Sequence, residues 1–593
     1  MNIQECDILN TIRKNSFVNQ RILAEESGHS LGIVNKSLRS LMQEEYLDDQ
    51  LCLTEKAKKE ILEKAPKNAV ILAAGFGMRM VPINTETPKG LLEVHGETLI
   101  ERMIRQLQEA GIYEIYIVVG FMKEQFEYLI DEYGVELVVN TEYALKNNLH
   151  SMKRILSHLS NTYVIPCDIW CDRNPFSDCE LYSWYMVSDC VEQESSVRVN
   201  RKMELVSVSE GMGGNAMIGI AYLLEKDAAF VRKRIWELCQ DARYDGAFWE
   251  EALYQKDRMI VPAKVVSTLN AVEINTYEQL RELDSDSSQL RSDAIDTIAA
   301  ALHVSAGEIG EIQVLKKGMT NRSFLFQCRG EKYIMRIPGE GTDRLINRAW
   351  EAAVYQTIGE KGICDEVVCL NPANGYKITK YMEGARVCNP LCKAEVTACM
   401  EKLKAFHRAG FQVDHEFDLF GQITFYESLR GEIPSVYRDY EKTKAQVFSL
   451  KSFLETEAQD KVLTHIDAVP DNFLFVPAKG GGEELRLIDW EYAGMQDPYV
   501  DIAMFGIYAL YDRNKMEELI DAYFPEGCTR RIRIRIYGYI SVCGLLWSNW
   551  CEYKRTLGVE FGEYSLRQYR YAKEYYRIVQ EECQKLEEEK CSE

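Results

Sequence analysis

The stretch Val70 to Val94, VILAAGFGMRMVPINTETPKGLLEV, constrains the fold of this chain more than any other. Val70, Ile71 and Leu72 form a short apolar run suited to a buried strand. Ala73, Ala74, Gly75 and Gly77 then keep side chains out of the turn, so backbone amides can approach a phosphate closely. Arg79 and Lys89 bring two cations within reach of this loop, and Pro88 stiffens the approach to Lys89. A triphosphate attacked by another anion needs such charge around it before it can react. An ordinary strand-to-helix turn can also carry two glycines, but the full order Gly-x-Gly-x-Arg, then Pro-Lys-x-Leu, reads as a nucleotide site.

That order resembles the signature of nucleotidyltransferases that condense a nucleoside triphosphate with a sugar phosphate or alcohol phosphate. One such domain cannot account for the chain. Its 593 residues, at roughly 150 per domain, suggest three or four. The formal charge of -22 argues against non-specific binding to nucleic acid or anionic membrane, so a phosphate ligand must be held by local cations in clefts. The N-terminus has no basic segment followed by an apolar core, and no apolar run reaches about 18 residues, so a cytoplasmic protein is expected. The eighteen cysteines contain no Cys-x-x-C pair and are expected to be free thiols.

Residues 1–65 read as short helices and a small wing. Ile8, Ile12, Ile22 and Leu23 mark apolar faces of two helices, Gly28 breaks the chain, and Ile33, Leu38, Leu41 and Met42 recur at helical spacing in a third. Leu47 to Leu53 form the wing, and Thr54 caps a further helix. The pattern resembles the winged-helix domains of bacterial regulators. Lys36 and Arg39 on the third helix are placed to meet DNA phosphates, but Glu44, Glu45, Asp48 and Asp49 come directly after them. A docking or dimerising module is therefore the preferred reading, with duplex DNA left open as a partner.

Strands and helices alternate beyond the opening loop. Leu99 to Ala110 is amphipathic and ends at Gly111; Ile115 to Val119, Val135 to Val139 and Tyr163 to Ile165 are apolar runs. The expected fold is an α/β Rossmann-like mixed sheet with ligands at the strand ends. Asp168, just past a strand, can reach a magnesium ion bridging triphosphate oxygens. Gly120 to Leu129, then Asn147-Asn148-Leu149-His150-Ser151, then Phe248-Trp249-Glu250 resemble bacterial CTP:phosphocholine cytidylyltransferases over residues 67–283. The resemblance implies that Leu72, Ala73, Ala74, Gly75, Phe76, Gly77, Met78 and Arg79 line CTP, that Lys89 binds its phosphates, that Asn148 lies near the substrates and that Asp168 holds Mg2+. Lys89 and Arg79 are the expected catalytic cations. Where the family usually has a second metal aspartate in Glu-Ile-Asp, this chain has Asn275: either Glu273 compensates, or Asp168 and the triphosphate mainly hold the metal, or this half is slow or altered in substrate. Trp249 and Glu250 are candidates for holding a quaternary ammonium, by cation-π and charge attraction.

Residues 284–291 are polar and serine-rich and read as a linker. From residue 292 to 593 a second enzyme is expected. A loop, Lys317 to Asn321, precedes the strand Lys332 to Arg336, and Asn347-Arg348-x-x-Glu351 opens a helix. Downstream stand His465-x-Asp467-x4-Asn472 and a strand ending in Asp489. This arrangement puts a base, a metal amide and a metal carboxylate in one cleft, the chemistry of phosphoryl transfer in a protein-kinase-like α+β fold. Asp467 is the expected base, Asn472 and Asp489 the magnesium ligands, His465 a brace for the loop, and Arg336 with Glu351 the pair that orients triphosphate.

This segment resembles choline/ethanolamine kinases and the related aminoglycoside phosphotransferases. The resemblance implies that Thr320 and Asn321 fold over ATP and that Lys380, Tyr381 and Met382 form the hinge touching adenine. Trp547 and Trp550 match the paired tryptophans of choline kinases, with Tyr492 just after the metal aspartate and Tyr511 a further aromatic. The combined expectation is a bifunctional enzyme that phosphorylates choline with ATP and couples phosphocholine to CTP, using Mg2+ at both sites. Ethanolamine is the alternative substrate, and a winged-helix regulator sensing choline or CDP-choline is the alternative of another class. The sequence leaves a homo-oligomer open.

Overall fold

The computed structural model describes residues 1–14, 19–83, 87–193, 195–209, 211–287, 290–315, 321–339, 342, 345–457, 461–478, 480–557, 559 and 561–592. The chain divides into two compact units, residues 1–296 with 312–314, and residues 297–311 with 315–593.

The first unit opens with the helices Ile3–Lys14, Gln20–Ser27 and Leu31–Gln43, a bridge between Leu47 and Leu53, and the helix Glu55–Lys64. Asn19, Ser30 and Thr54 cap these helices through side-chain oxygens, and Gly28 closes the second in the left-handed region. Ile8, Leu23, Leu38 and Leu41 are buried as their spacing requires, whereas Ile22 faces solvent. This winged helix is built into the rest of its unit. Cys179 and Leu181 complete its core, Arg13 pairs with Asp178 through both guanidinium nitrogens, and Tyr182 donates to Asp7 at 2.9 Å. Asn161 and Tyr222 donate to the carbonyls of Glu63 and Lys64 at its end.

The remainder of the unit is built on a ten-stranded mixed sheet. The fully buried strand Asn68–Ala73 lies parallel between Glu114–Val119 and Thr162–Pro166, with Ile71 opposite Ile117 and Ile165. Because neighbouring parallel strands end at one edge of a sheet, the loop after Ala73 and Asp168 after Pro166 emerge side by side. Strand Ala271–Glu273 pairs antiparallel with Ile169–Cys171, which brings Glu273 and Asn275 to the same edge. Asp284 accepts from the backbone N–H of His95 at 2.6 Å, Ser287 donates to Glu93, and Leu290 is buried, so this polar stretch is tied down along its described residues.

In the second unit, strands Asn321–Cys328, Glu331–Pro338, Lys377–Lys380 and Val367–Leu370 form an antiparallel series flanked by the helix Arg348–Ile358. A helical region comes next, centred on the 27-residue helix Arg530–Thr556, which packs against Glu563–Ser592. Gly544 allows their close approach: a Cβ there would lie 2.7 Å from the Gln568 carbonyl. Between these parts run the short strand Val462–Thr464 and the hairpin Phe473–Pro477 with Glu483–Leu487, which carry the candidate catalytic loop and metal aspartate. Among the described residues no helix is long and apolar enough to cross a membrane.

Candidate active sites

The first unit holds a cleft of about 930 Å3 at the edge where the parallel strands end. Leu72, Ala74, Gly75, Phe76, Gly77, Arg79, Lys89, Asn148, Asp168, Glu250, Glu273 and Asn275 line it. Ala73 is buried in the strand, and the backbone of Met78 opens the short 3-10 turn Met78–Met80. Gly77 takes the left-handed conformation (φ 59°) and lies against the Lys89 side chain.

Lys89 Nζ donates to Asp168 Oδ2 and, at 2.7 Å, to Asn275 Oδ1, which also accepts from Arg79 Nη2 at 2.9 Å. Both cations are thus held by oxygens at the cleft. The other oxygen of Asp168, Oδ1, is buried and has no hydrogen-bond partner among the described residues. Burial and the neighbouring Asp168 charge push the Glu273 carboxyl up. A set of hard oxygen donors with one orphaned carboxylate oxygen fits a magnesium ion.

Trp249 is placed differently from the sequence expectation. Its ring is fully buried in the core against Tyr185, 6.3 Å between ring centres, and it does not line the cleft. Its neighbour Phe248 is 60% exposed and does. The phase is set by Asn148, whose Oδ1 accepts from the Trp249 backbone N–H at 2.7 Å and pins the turn Trp249–Leu253. Glu250 therefore points into the cleft, where Tyr185 donates to it at 3.0 Å and burial pushes its carboxyl up to about 7. Tyr185 lies in strand Trp184–Glu192 and had no sequence motif to mark it.

In the second unit, Arg336 forms two hydrogen bonds to Glu351, at 2.6 and 2.8 Å, both side chains being buried. Arg348 bridges Glu351 and Glu491 at 3.1 Å each, and Arg336 lies 3.6 Å from Asp489. Glu351, Asp489 and Glu491 bring carboxylate oxygens within 4.8 Å of one another, a donor set able to hold a divalent cation. Asn472 donates to Asp467 at 3.1 Å. Burial and the charges of Asp489 and Glu491 push Asp467 up to about 8. Burial also pushes His465 down to about 4, so its ring is neutral and its Nε2 donates to the Ile488 carbonyl at 2.9 Å.

Asp501, which carries no sequence motif, anchors the catalytic loop. Its carboxylate accepts from the backbone N–H groups of His465 and Ile466, at 2.9 and 2.7 Å, and from His407 Nε2 at 2.9 Å. Ile466 is held at φ 67°, a costly conformation for a β-branched residue.

Asn321 donates to Glu491 at 3.0 Å, whereas Thr320 and the loop from Lys317 to Met319 lie outside the described residues. Lys380 ends its strand in an ion pair with Glu366, Tyr381 donates its backbone N–H to Lys332, and Met382 lies in the turn just beyond. Tyr492, Trp547 and Trp550 are brought together, with successive ring centres 5.6 Å apart. Tyr511 is not with them. Its hydroxyl donates to the Pro390 carbonyl, and its ring borders a separate hollow of about 350 Å3.

Residues 1–48 match the winged helix-turn-helix DNA-binding family, 69–175 the MobA-like NTP transferase domain, and 312–521 the choline/ethanolamine kinase family. The choline-phosphate cytidylyltransferase of Streptococcus pneumoniae is 36% identical over 224 residues, 36% of this chain and 96% of that protein. The chain belongs to that cytidylyltransferase family. A 2-aminoethylphosphonate cytidylyltransferase of Lancefieldella rimae is 31% identical over 37% of this chain and 88% of its own length. On the kinase side, Protein LicA of Haemophilus influenzae is 26% identical over 42% of this chain and 95% of its length. The solved choline kinase LicA of Streptococcus pneumoniae is 28% identical, covering 48% of this chain and 97% of that one, with a TM-score of 0.42. The family's cytidylyltransferase domain is therefore joined here to a choline/ethanolamine kinase domain, behind a winged helix.

Proposed function

We propose that the protein makes CDP-choline in two steps, the second unit phosphorylating choline with ATP and the first coupling phosphocholine to CTP. The observation that carries this reading is that one polypeptide holds both constellations, the product of one being the substrate of the other. In the kinase step the choline oxygen attacks the γ-phosphorus, Asp467 takes the hydroxyl proton, the bond from that phosphorus to the bridging oxygen breaks, and ADP leaves. Arg336, aligned by Glu351, faces the phosphates. Asn472 and Asp489 would hold Mg2+, which neutralises triphosphate charge when bound.

In the cytidylyl step a phosphate oxygen of phosphocholine attacks the α-phosphorus of CTP and pyrophosphate departs. Lys89 and Arg79 leave Asp168 and Asn275 to neutralise the charge that develops. Asp168, Glu273 and the Asn275 amide oxygen would hold the magnesium ion, with Leu72 to Gly77 against the nucleotide. Glu250 beside Tyr185 offers an anionic wall for the trimethylammonium group, and exposed Phe248 an aromatic one.

On this reading the protein works in the cytoplasm. The winged helix is a docking module, since Lys36 and Arg39 are exposed on its third helix but so are Glu44, Glu45, Asp48 and Asp49 beside it. We put the domains at 1–65, 67–283 and 292–593. Purified protein given choline, ATP, CTP and magnesium should yield CDP-choline, with ADP and pyrophosphate in equal amounts. No product, together with tight, salt-dependent binding of duplex DNA, would overturn the enzyme reading in favour of a regulator. Competition between choline and ethanolamine decides the substrate.

A further inference from the structure

Lys377 occupies a position in the kinase unit that no sequence motif marks. It opens the strand Lys377–Lys380, and the sheet register sets it directly opposite Arg336 on the neighbouring strand, so the two cations project from one face. Both are buried, Lys377 being 6% and Arg336 5% exposed. Like charges side by side in a buried sheet are costly, and each persists only with a partner of its own. Arg336 has Glu351. Lys377 Nζ donates to the Tyr355 hydroxyl at 2.7 Å and to Asp365 Oδ2 at 3.4 Å, and Tyr355 donates in turn to Asp365 Oδ1 at 3.1 Å.

These contacts converge on one element. Glu351 and Tyr355 stand at i and i+4 in the helix Arg348–Ile358, both buried, so they lie one turn apart on the face turned to the sheet. Asp365 follows that helix, just before strand Val367–Leu370. Burial beside Asp365 pushes the Tyr355 hydroxyl up, which keeps it protonated and able to donate. A single clamp between Arg336 and Glu351 leaves a helix free to pivot about that pair; a second clamp one turn away fixes its register. Buried ion pairs add little net stability compared with apolar packing, and their best-attested use is to select one arrangement among several. The arrangement selected here is the one in which Glu351 takes both terminal guanidinium nitrogens of Arg336, and Arg348 spans Glu351 and Glu491.

We propose that Lys377 is a positioning residue for phosphoryl transfer: held by Tyr355 and Asp365, it sets the helix Arg348–Ile358 so that Glu351 aims Arg336 at the triphosphate. The inference rests on the kinase reading and adds three residues outside its motifs. Lys377 acts through Glu351 and Arg336, without touching the reacting atoms itself.

The test is steady-state kinetics of choline phosphorylation by the full chain carrying Lys377→Met, Tyr355→Phe, or Lys377→Met together with Asp365→Asn. Each variant is also measured for its melting temperature and for inhibition by adenosine, which has no phosphates. In Lys377→Met the KM for ATP should rise roughly tenfold or more, the range of one hydrogen bond to a charged group, while KM for choline and Ki for adenosine stay within about twofold. Tyr355→Phe keeps the ring and the contact between Lys377 and Asp365, so it should show the same pattern to a smaller degree. Adding Asp365→Asn to Lys377→Met removes the buried carboxylate left without its cation, so the melting temperature should recover and KM for ATP should not. If Lys377→Met alone does not fold, Tyr355→Phe and the double variant are read by the same criteria. An unchanged KM for ATP, a parallel loss of adenosine binding, or recovery of KM for ATP along with melting temperature in the double variant would make Lys377 purely structural and overturn the proposal. An unaltered protein unable to phosphorylate choline would overturn the kinase reading and this proposal together.

Discussion

Replacing Asp501 by Asn should damage the kinase reaction without touching the nucleotide cleft of the first unit. The wild-type carboxylate accepts three hydrogen bonds in a fully buried setting, two of them from consecutive backbone N–H groups of the catalytic loop. An amide offers one acceptor oxygen and turns an NH2 toward the other donors. At least one backbone N–H then loses its partner, at about 1–3 kcal/mol, and the remaining bonds lose the strength that an ionised acceptor gives. A total of about 2–4 kcal/mol results, which for a unit of this size corresponds to a fall of roughly 3–7 °C in melting temperature. Ile466, released from its left-handed conformation, relaxes and draws Asp467 out of line, so kcat for phosphocholine formation should fall roughly a hundredfold, as misplacement of a catalytic group implies. The assay is phosphocholine formation with cytidylyl transfer to added phosphocholine measured on the same preparation. A kinase kcat within twofold of wild type and an unchanged melting temperature would refute the assignment of Asp501 as the loop anchor.

Three further outcomes are expected. Glu250 is held near 7 in the free protein, above the ordinary carboxylate range, and only its ionised form attracts trimethylammonium. KM for phosphocholine should therefore rise as pH falls through about 7, and Glu250→Gln should flatten that profile in pH-dependent cytidylyl kinetics. Glu351→Gln leaves Arg336 and Arg348 facing a neutral amide in a buried site, so the second unit should lose about 3–5 kcal/mol, with KM for ATP rising, as read by thermal unfolding and ATP titration. Asn275→Asp adds a charged oxygen beside Asp168, so the magnesium concentration giving half-maximal cytidylyl transfer should drop. An unchanged magnesium titration would remove residue 275 from the metal site.

Much of the fold was readable because its decisive signals are local. The strand and glycine loop from Val70, the capped helices of the first 65 residues, and the spacing from His465 to Asn472 each need only short-range chemistry to interpret. What escaped depends on three-dimensional phase or distance. Whether Phe248 or Trp249 faces the cleft is set by one hydrogen bond that the Trp249 backbone N–H donates to Asn148, 101 residues away in sequence. Tyr185 sits in the apolar first half of its strand, Trp184 to Val187, and only the sheet order brings it to Glu250. Asp501 did leave a trace: it is a lone carboxylate in the fully apolar run of the helix Tyr499–Tyr508, a placement that demands partners. The stretch from Asp284 reads as a linker because composition reports polarity, while its side chains use that polarity to bind the backbone at Glu93 and His95.

The central claim is that two sites act in series on one polypeptide, and labelled choline traced through single-site variants tests it most directly. With ATP, CTP and magnesium, Lys89→Ala should accumulate labelled phosphocholine. Asp467→Asn should leave choline untouched yet convert added phosphocholine, and a mixture of the two variants should restore labelled CDP-choline. Loss of both activities in either variant, or failure of the mixture to make CDP-choline, would contradict the account.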